Sequence, residues 1–234
     1  MGFIPSTNSI QRTFRIKKTL LGTAFTIDRN DQQYIVTARH VVEGIQDGDE
    51  IEVWHERKWK PLLVEVVGVG EDDAIDIAVL RSDIHLTPTH PLEPTQGGLL
   101  IGQSVAFLGF PFGMEMDEAR HLNNGYPAPF VKAGIVSAIQ GSPKFHSIWI
   151  DAHGNRGFSG GPLLFTAMPE QVGKDKVAGI ISSASLDPET GENAGLVRAV
   201  PIKHAIEMIE AFERVTLGDT STVTESRQPS RNRG

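Results

Sequence analysis

Gly157-Phe158-Ser159-Gly160-Gly161 sets one serine among glycines that keep bulk away from its hydroxyl. A serine hydroxyl is a poor nucleophile unless a base takes its proton as it attacks. Histidine, with an ordinary pKa near ~6.5, can accept that proton at neutral pH and return it to a leaving group. Upstream, His40 closes the apolar stretch Ile35-Val36-Thr37-Ala38-Arg39-His40, and Asp76 heads the run Ile77-Ala78-Val79-Leu80. A carboxylate beside such a run is expensive to bury unless something hydrogen-bonds it, and a histidine Nδ1–H is a suitable partner. Asp72 and Asp73 are rivals, but only Asp76 is followed directly by the apolar run.

Two orders of chemistry share the serine's surroundings. G-x-S-x-G is the nucleophile elbow of α/β-hydrolases, which requires a helix straight after the serine and then an acid and a histidine. Asp187 and His204 formally fill those places, yet Pro162 and the β-like run Leu163-Leu164-Phe165 stand where the helix belongs. The other order runs histidine, acid, serine, with the groups brought together from two β-domains. His40, Asp76 and Ser159 occur in that order.

The elements that must position them read mostly as strands. Gly22 to Ile27 and Gln33 to Thr37 flank the turn residues Asp28-Arg29-Asn30-Asp31, a hairpin pattern. Further β-rich runs follow at Glu50 to Trp54, Pro61 to Val69 and Ile75 to Leu80, and again from Ser104, Ile135, Ser147 and Val177. Pro88, Pro91, Pro94, Gly97 and Gly98 break the pattern over 86–101, which reads as a linker. After Pro201, the residues Ile202, Ala205, Ile206, Ile209 and Phe212 recur at helical spacing. The polar stretch beyond about 215 lacks a face to bury and is expected to be disordered.

Composition agrees. The 234 residues include 24 Gly and 14 Pro, a load that suits short strands and turns better than a helical bundle. A net charge of -7 argues against nucleic acid or an anionic membrane as a general partner. Cysteine is absent, which removes disulfides and thiolate metal sites. No apolar run approaches the roughly 20 residues of a membrane span, and the N-terminal stretch does not read as a signal peptide, so a cytoplasmic address is the expectation. The expected fold class is all-β: two packed six-stranded antiparallel β-barrels with a C-terminal α-helix. The expected division is an extension over 1–19, a first barrel over 20–97, a second barrel with the helix over 98–214, and a tail over 215–234.

The ordered fragments GTAFTI, YIVTARHVV, DAIDIAVL, FLGFPFG, GIVSAI, IDAHGNRGFSGGPLL, VAGIISSAS and LVRAVPIKHAI resemble the trypsin-like (chymotrypsin-fold) serine proteases, nearest the bacterial HtrA-type branch. The resemblance implies a serine endopeptidase acting on peptides or proteins with neither cofactor nor metal. It makes Ser159 the nucleophile, His40 the general base and Asp76 its orienting acid, and gives the oxyanion to the N–H groups of Gly157 and Ser159. It also implies that Ser182 supports Asp76, that Ser183 and Ala184 pair with substrate backbone, that the pocket base falls near His153, and that Arg198 lies near the pocket wall.

There are departures. Phe158 stands where digestive relatives carry an Asp that pairs with a freed N-terminus, so an oxyanion hole here must form through local packing or a loop shift. The loop from Gly113 to Ala133 is long and is expected to gate that hole. Arg39 is unusual beside the histidine. If Arg198 points into the pocket, acidic residues are preferred; otherwise small or medium apolar ones, which is the reading favoured. No PDZ-like module follows the helix in this sequence. Phe158 and the long loop also motivate a second reading, a protease-fold binding module that is silent or needs an activating partner or self-association.

Overall fold

The computed structural model describes residues 3–87, 92–116, 123–141, 146–167 and 174–223. In chain order the elements are α1 (Thr7–Gln11), β1 (Thr13–Lys17), β2 (Leu21–Arg29), β3 (Gln32–Thr37), β4 (Glu50–His55), β5 (Lys58–Leu63), β6 (Glu65–Val69), β7 (Ala78–Arg81), β8 (Glu93–Pro94), β9 (Ser104–Gly109), β10 (Phe130–Gly141), β11 (His146–Asp151), β12 (Pro162–Phe165), β13 (Lys176–Leu186), β14 (Asn193–Pro201) and α2 (Lys203–Val223). They form a predominantly β molecule of two curved sheets with one long C-terminal helix, the chymotrypsin-like arrangement expected.

The first sheet has the order β5-β4-β1-β2-β3-β7-β6. Its two edges are consecutive pieces of chain, since Val64 alone separates β5 from β6. That residue makes the corner: its N–H donates to the Asp49 carbonyl and its own carbonyl accepts from Gly48 N–H. Counting β5 and β6 as one bent strand recovers six strands around a core that includes Phe14, Ile35, Val53 and Leu80. The β2–β3 hairpin turns on Asn30 and Asp31, both with positive φ, a two-residue turn whose twist suits the flanking strands.

The second sheet has the order β12-β9-β10-β11-β14-β13, and β13 pairs back onto β12, closing a six-stranded barrel. The two-residue β8 adds to β13 in parallel, so the pairing is not antiparallel throughout. It sits inside the stretch expected as a linker. That stretch is held at Thr87, which bonds Gln33, and at buried Leu92; residues 88–91 lie outside the described residues.

Two boundaries differ from expectation. β1 lies within the predicted extension, because Thr13-Phe14-Arg15-Ile16-Lys17 alternates and sends Phe14 and Ile16 into the core. The basic residues Arg15 and Lys17 that alternate with them disguise the strand. At the other end α2 runs to Val223, past the expected boundary at 214, with Thr216 Oγ1 donating to the Phe212 carbonyl one turn back. Once a helix is nucleated, each added residue needs little more than its own hydrogen bond. The remainder of the predicted disordered tail, 224–234, lies outside the described residues.

The barrels share a core. Phe25, Val36, Ile77 and Val79 of the first pack with Leu108, Leu164, Ile180 and Val200 of the second, and Ile202, Ala205 and Ile209 of α2 complete the same cluster. A hydrogen bond pins the seam at the serine, Thr23 N–H donating to the Ser159 carbonyl at 2.8 Å, while Gly160 N–H ties the serine loop to β13 through the Ile181 carbonyl at 2.7 Å. Gly160 has φ 86°, and a Cβ there would lie 2.0 Å from the Thr23 carbonyl oxygen and 2.3 Å from Thr37 Oγ1. Only glycine fits this joint. Gly160→Ala is therefore expected to destabilise the protein by about 3 kcal/mol, combining left-handed strain with a backbone clash. Urea unfolding should show a lower midpoint at unchanged slope.

Candidate active site

His40 sits in a single 3-10 turn, Arg39–Val42, just beyond the end of β3. Val41 and Val42 are buried beneath it, and the Val41 carbonyl accepts from the N–H groups of Thr19 and Leu20, so the turn is held from below. Asp76 follows a second 3-10 turn, Asp73–Ile75, whose start is capped by the Asp72 carboxylate accepting from Ala74 and Ile75 N–H. This separates the three acids. Asp72 is a cap, Asp73 is solvent-exposed and paired with Arg39, and Asp76 alone is buried.

The Asp76 carboxylate accepts three hydrogen bonds. His40 Nδ1 lies 2.7 Å from Oδ2, His40 N–H donates to Oδ1 at 3.0 Å, and Ser182 Oγ–H donates to Oδ2 at 2.7 Å. With the ring proton on Nδ1, Nε2 is left as the basic nitrogen. Burial by itself would raise the carboxyl pKa, but the bonds from His40 and Ser182 and the ring's charge outweigh it and hold Asp76 below its ordinary value.

Ser159 shares a cleft of about 560 Å³ with His40, Asp76 and Ser182, so the residues named from sequence do converge. Its hydroxyl donates to the Ser182 carbonyl at 3.3 Å. Ahead of it, the Arg156 carbonyl accepts from Phe112 N–H at 2.8 Å. A trans peptide directs C=O and N–H oppositely, so this bond turns the Gly157 N–H the other way. Gly157 has φ 99°, and a Cβ there would lie 2.1 Å from the Phe110 carbonyl oxygen. Among the described residues, neither Gly157 N–H nor Ser159 N–H has a hydrogen-bond partner. Thr23 Oγ1, which no motif points out, donates to the Gly157 carbonyl at 2.6 Å and fixes the loop from the first barrel.

Phe158 is buried in the core of the second barrel, edge-on to Phe107 at 5.0 Å. Lys132 Nζ stands 5.8 Å from its ring centroid and donates to Asn155 Oδ1 at 3.0 Å. Burial pushes the Lys132 ammonium below the ordinary lysine value. An apolar anchor and a neighbouring lysine thus hold this loop without an aspartate–N-terminus pair.

Other expected positions fare unevenly. Ser183 and Ala184 line the cleft on β13, where its pairing with β14 shifts register. His153 is exposed and absent from the cleft lining, and the neighbouring Gly154 takes that place, with its carbonyl accepting from Asn193 Nδ2 at 2.7 Å. A Cβ at Gly154 would lie 2.8 Å from the Ala184 methyl and 3.0 Å from Val197 Cγ2, so that wall is apolar and tight. Arg198 lines the cleft, half-buried, and its guanidinium donates to the Asp73 and Ala74 carbonyls. Of the elbow reading, Asp187 is half-buried and its carboxylate caps the turn after it by accepting from Glu189 N–H, His204 is buried on α2 beside Glu207, and Pro162 opens a strand. The long loop has residues 117–122 outside the described set. Its flank docks on the first barrel, with Glu56 N–H donating to the Gly125 carbonyl and Tyr126 packed on Phe14 and His55.

The family model for the trypsin-like peptidase domain matches residues 22–173. A probable periplasmic serine endoprotease, DegP-like, of Halomonas elongata is 33% identical over 194 residues, covering 81% of this chain and 34% of that protein. The chloroplastic protease Do-like 1 of Arabidopsis thaliana is 35% identical over 147 residues, covering 61% of this chain and 30% of that protein. The chain thus spans about a third of the length of these relatives. Among solved structures, the HtrA-type protease AlgW with a decapeptide superposes with TM-score 0.59 at 20% identity, covering 88% of this chain and 65% of that one. The inactive form of the Rv3671c protease of M. tuberculosis gives TM-score 0.58 at 22% identity, covering 88% and 90%. At such identities the two structures speak for the fold.

The lowered Asp76 value has a consequence in acid. As pH falls, the unfolded chain binds a proton before the folded one does. The stability carried by these bonds is therefore complete above the ordinary carboxylate range and is lost as pH drops through the folded value. Replacing Asp76 by Asn should flatten the decline of unfolding free energy between about pH 5 and pH 2, measured by urea titration at stepped pH.

Proposed function

This chain belongs to the trypsin-like peptidase family, and we propose that it is a serine endopeptidase that cleaves peptide bonds through Ser159, His40 and Asp76. The observation that carries this reading is the Asp76 carboxylate, buried and aimed at His40 Nδ1 at 2.7 Å beside a serine whose flanking N–H groups have no partner among the described residues.

In the proposed cycle the Ser159 hydroxyl rotates from the Ser182 carbonyl towards His40, and its oxygen attacks the scissile carbonyl carbon as Nε2 takes the proton. Asp76 stabilises the resulting imidazolium. The N–H groups of Gly157 and Ser159 hold the tetrahedral oxyanion. His40 then gives the proton to the leaving amine, the C–N bond breaks, and Ser159 carries an acyl ester. Water, deprotonated by the same histidine, attacks the ester carbonyl, and the ester C–O bond breaks as His40 returns the proton to Ser159 Oγ, freeing the acid product and the serine. No metal or cofactor enters these steps.

Substrate backbone is proposed to lie along Ser183 and Ala184, adding a strand to β13. With Arg198 engaged elsewhere and Gly154 walled by Ala184 and Val197, a small or medium apolar side chain fits the pocket before the scissile bond. The loop over 113–133 is proposed to govern the hole, because the turn at its start supplies the Phe112 N–H that orients the Arg156–Gly157 peptide. The second reading, a binding module whose site is silent or switched by a partner, takes support from the direction of the Ser159 hydroxyl, which is bonded to Ser182 rather than to His40.

A fluorophosphonate separates the two. Labelling of the wild type that disappears in Ser159→Ala is expected, together with a loss of about 10⁶ in kcat for that variant. No labelling under any condition favours the module. A peptide library should show cleavage after small apolar residues, and robust cleavage after Arg would overturn the pocket assignment. Trimming 113–133 to a short turn should lower turnover; unchanged turnover removes the gate.

A further inference from the structure

Arg198 is the side chain whose bonding the catalytic cycle leaves without a use. It projects from β14 of the second barrel, directly across from Ser183 on β13. Its guanidinium spans the seam. Nη1 donates to the Asp73 carbonyl at 2.8 Å, Nη2 to the Ala74 carbonyl at 2.6 Å, and Nε to Ser147 Oγ at 2.9 Å. Nη1 also lies 3.5 Å from Ser182 Oγ, the hydroxyl that donates to Asp76.

The two carbonyls belong to the 3-10 turn that ends at Asp76. Carbonyls near the end of a helical turn run short of backbone donors, and a cation placed there satisfies them and complements the local dipole. Arg is suited to the task, since its planar fork reaches two acceptors at once and cannot lose its charge. The same turn is gripped from the first barrel by the Arg39–Asp73 ion pair, but the Asp73 side chain is 100% exposed and a pair of that kind holds weakly. The bonds from Arg198 go to backbone, so they constrain the path of the chain itself.

We propose that Arg198 is a positioning residue: from the second barrel it clamps the Asp73–Ala74 peptides and thereby fixes where the Asp76 carboxylate meets His40 and Ser182. The proposal rests on the reading of Asp76 as the orienting acid. It gives Arg198 no contact with substrate. A carboxylate held this way is aimed only when the two barrels are seated together, so the barrel seam and the catalytic geometry are one constraint.

The test uses the full chain with Arg198→Ala and Arg198→Lys. The first measurement needs no turnover. The His40 amide is bonded to Asp76 Oδ1, so its hydrogen exchange by NMR reports the carboxylate's placement. Expected in Arg198→Ala is at least about tenfold faster exchange at His40, with core amides such as Val36 and Val79 unchanged. An unchanged His40 amide overturns the proposal, even if the wild type shows no peptidase activity.

The second measurement is kinetic, on a neutral peptide. Expected is a fall of about 10²-fold in kcat at nearly constant KM, because a displaced group far from substrate is felt in the transition state. Guanidinium added to Arg198→Ala should restore part of kcat. A loss confined to KM would put Arg198 in the pocket and overturn the proposal. Arg198→Lys keeps the charge and the stem but reaches one carbonyl at a time, and it should fall between wild type and Ala in both readouts. Should Arg198→Ala not fold, wild-type exchange and kcat in the Lys variant overturn the two-carbonyl clamp. Absent fluorophosphonate labelling of the wild type would count against the peptidase reading alone.

Discussion

A carboxylate inside a β molecule has to be surrounded by donors, and at Asp76 those donors come from both halves of the chain. His40 contributes its ring and its backbone N–H from the first barrel, and Ser182 contributes a hydroxyl from the second. Losing either side would leave a buried charge short of partners, which is among the costlier defects a fold can carry. The packing of one barrel on the other is therefore required by the electrostatics of one residue as well as by the shared apolar cluster from Phe25 to Ile209. That cluster supplies attraction without direction. The polar contacts at Asp76 and Thr23 supply the register.

The serine loop is held by a different kind of force. Phe158 is driven into the core beside Phe107 and is not tethered by an ion pair, and the neighbouring Lys132–Asn155 bond pins the loop's outer limb. Burial of an aromatic ring is insensitive to salt and needs no free terminus, so a loop of this design can take its shape when the barrel folds. The peptide before Gly157 is then oriented by one backbone bond, from Phe112 to the Arg156 carbonyl. This division is physically sensible: a hydrophobic anchor sets the position of the loop, and a single hydrogen bond sets the orientation of one peptide, which leaves that orientation responsive to whatever moves the turn at 110–113.

The sequence exposed the parts of this arrangement that obey local rules. The Asn30-Asp31 hairpin, the stripe from Ile202 to Ile209, and the order of His40, Asp76 and Ser159 are patterns of type and spacing, and the structure brings those three side chains to one cleft. What escaped was nonlocal. β1 was hidden because Arg15 and Lys17 alternate with its two core residues and read as a basic cluster. His153 falls one residue short of the pocket, where Gly154 stands instead, because both lie in the loop after β11, where no strand alternation marks which residue faces inward. Thr23 carries no motif at all; its hydroxyl matters only because β2 passes beneath the serine loop.

Arg198 shows why a charged residue near a pocket resists reading from sequence. A guanidinium can face a ligand, solvent or carbonyls of its own chain, and only the last needs partners from distant segments. Residues 73 and 74 become its partners through the meeting of a turn in one barrel with a strand in the other. The choice has a physical consequence for the cleft. A guanidinium bonded to two carbonyls and a hydroxyl has few donors left for a substrate carboxylate, and its charge lies near the Ser182–Asp76 contact instead. An arginine that looks like a specificity determinant from its place in the chain thus has its donors engaged by its own chain, while Ala184 and Val197 crowd Gly154 on the neighbouring wall.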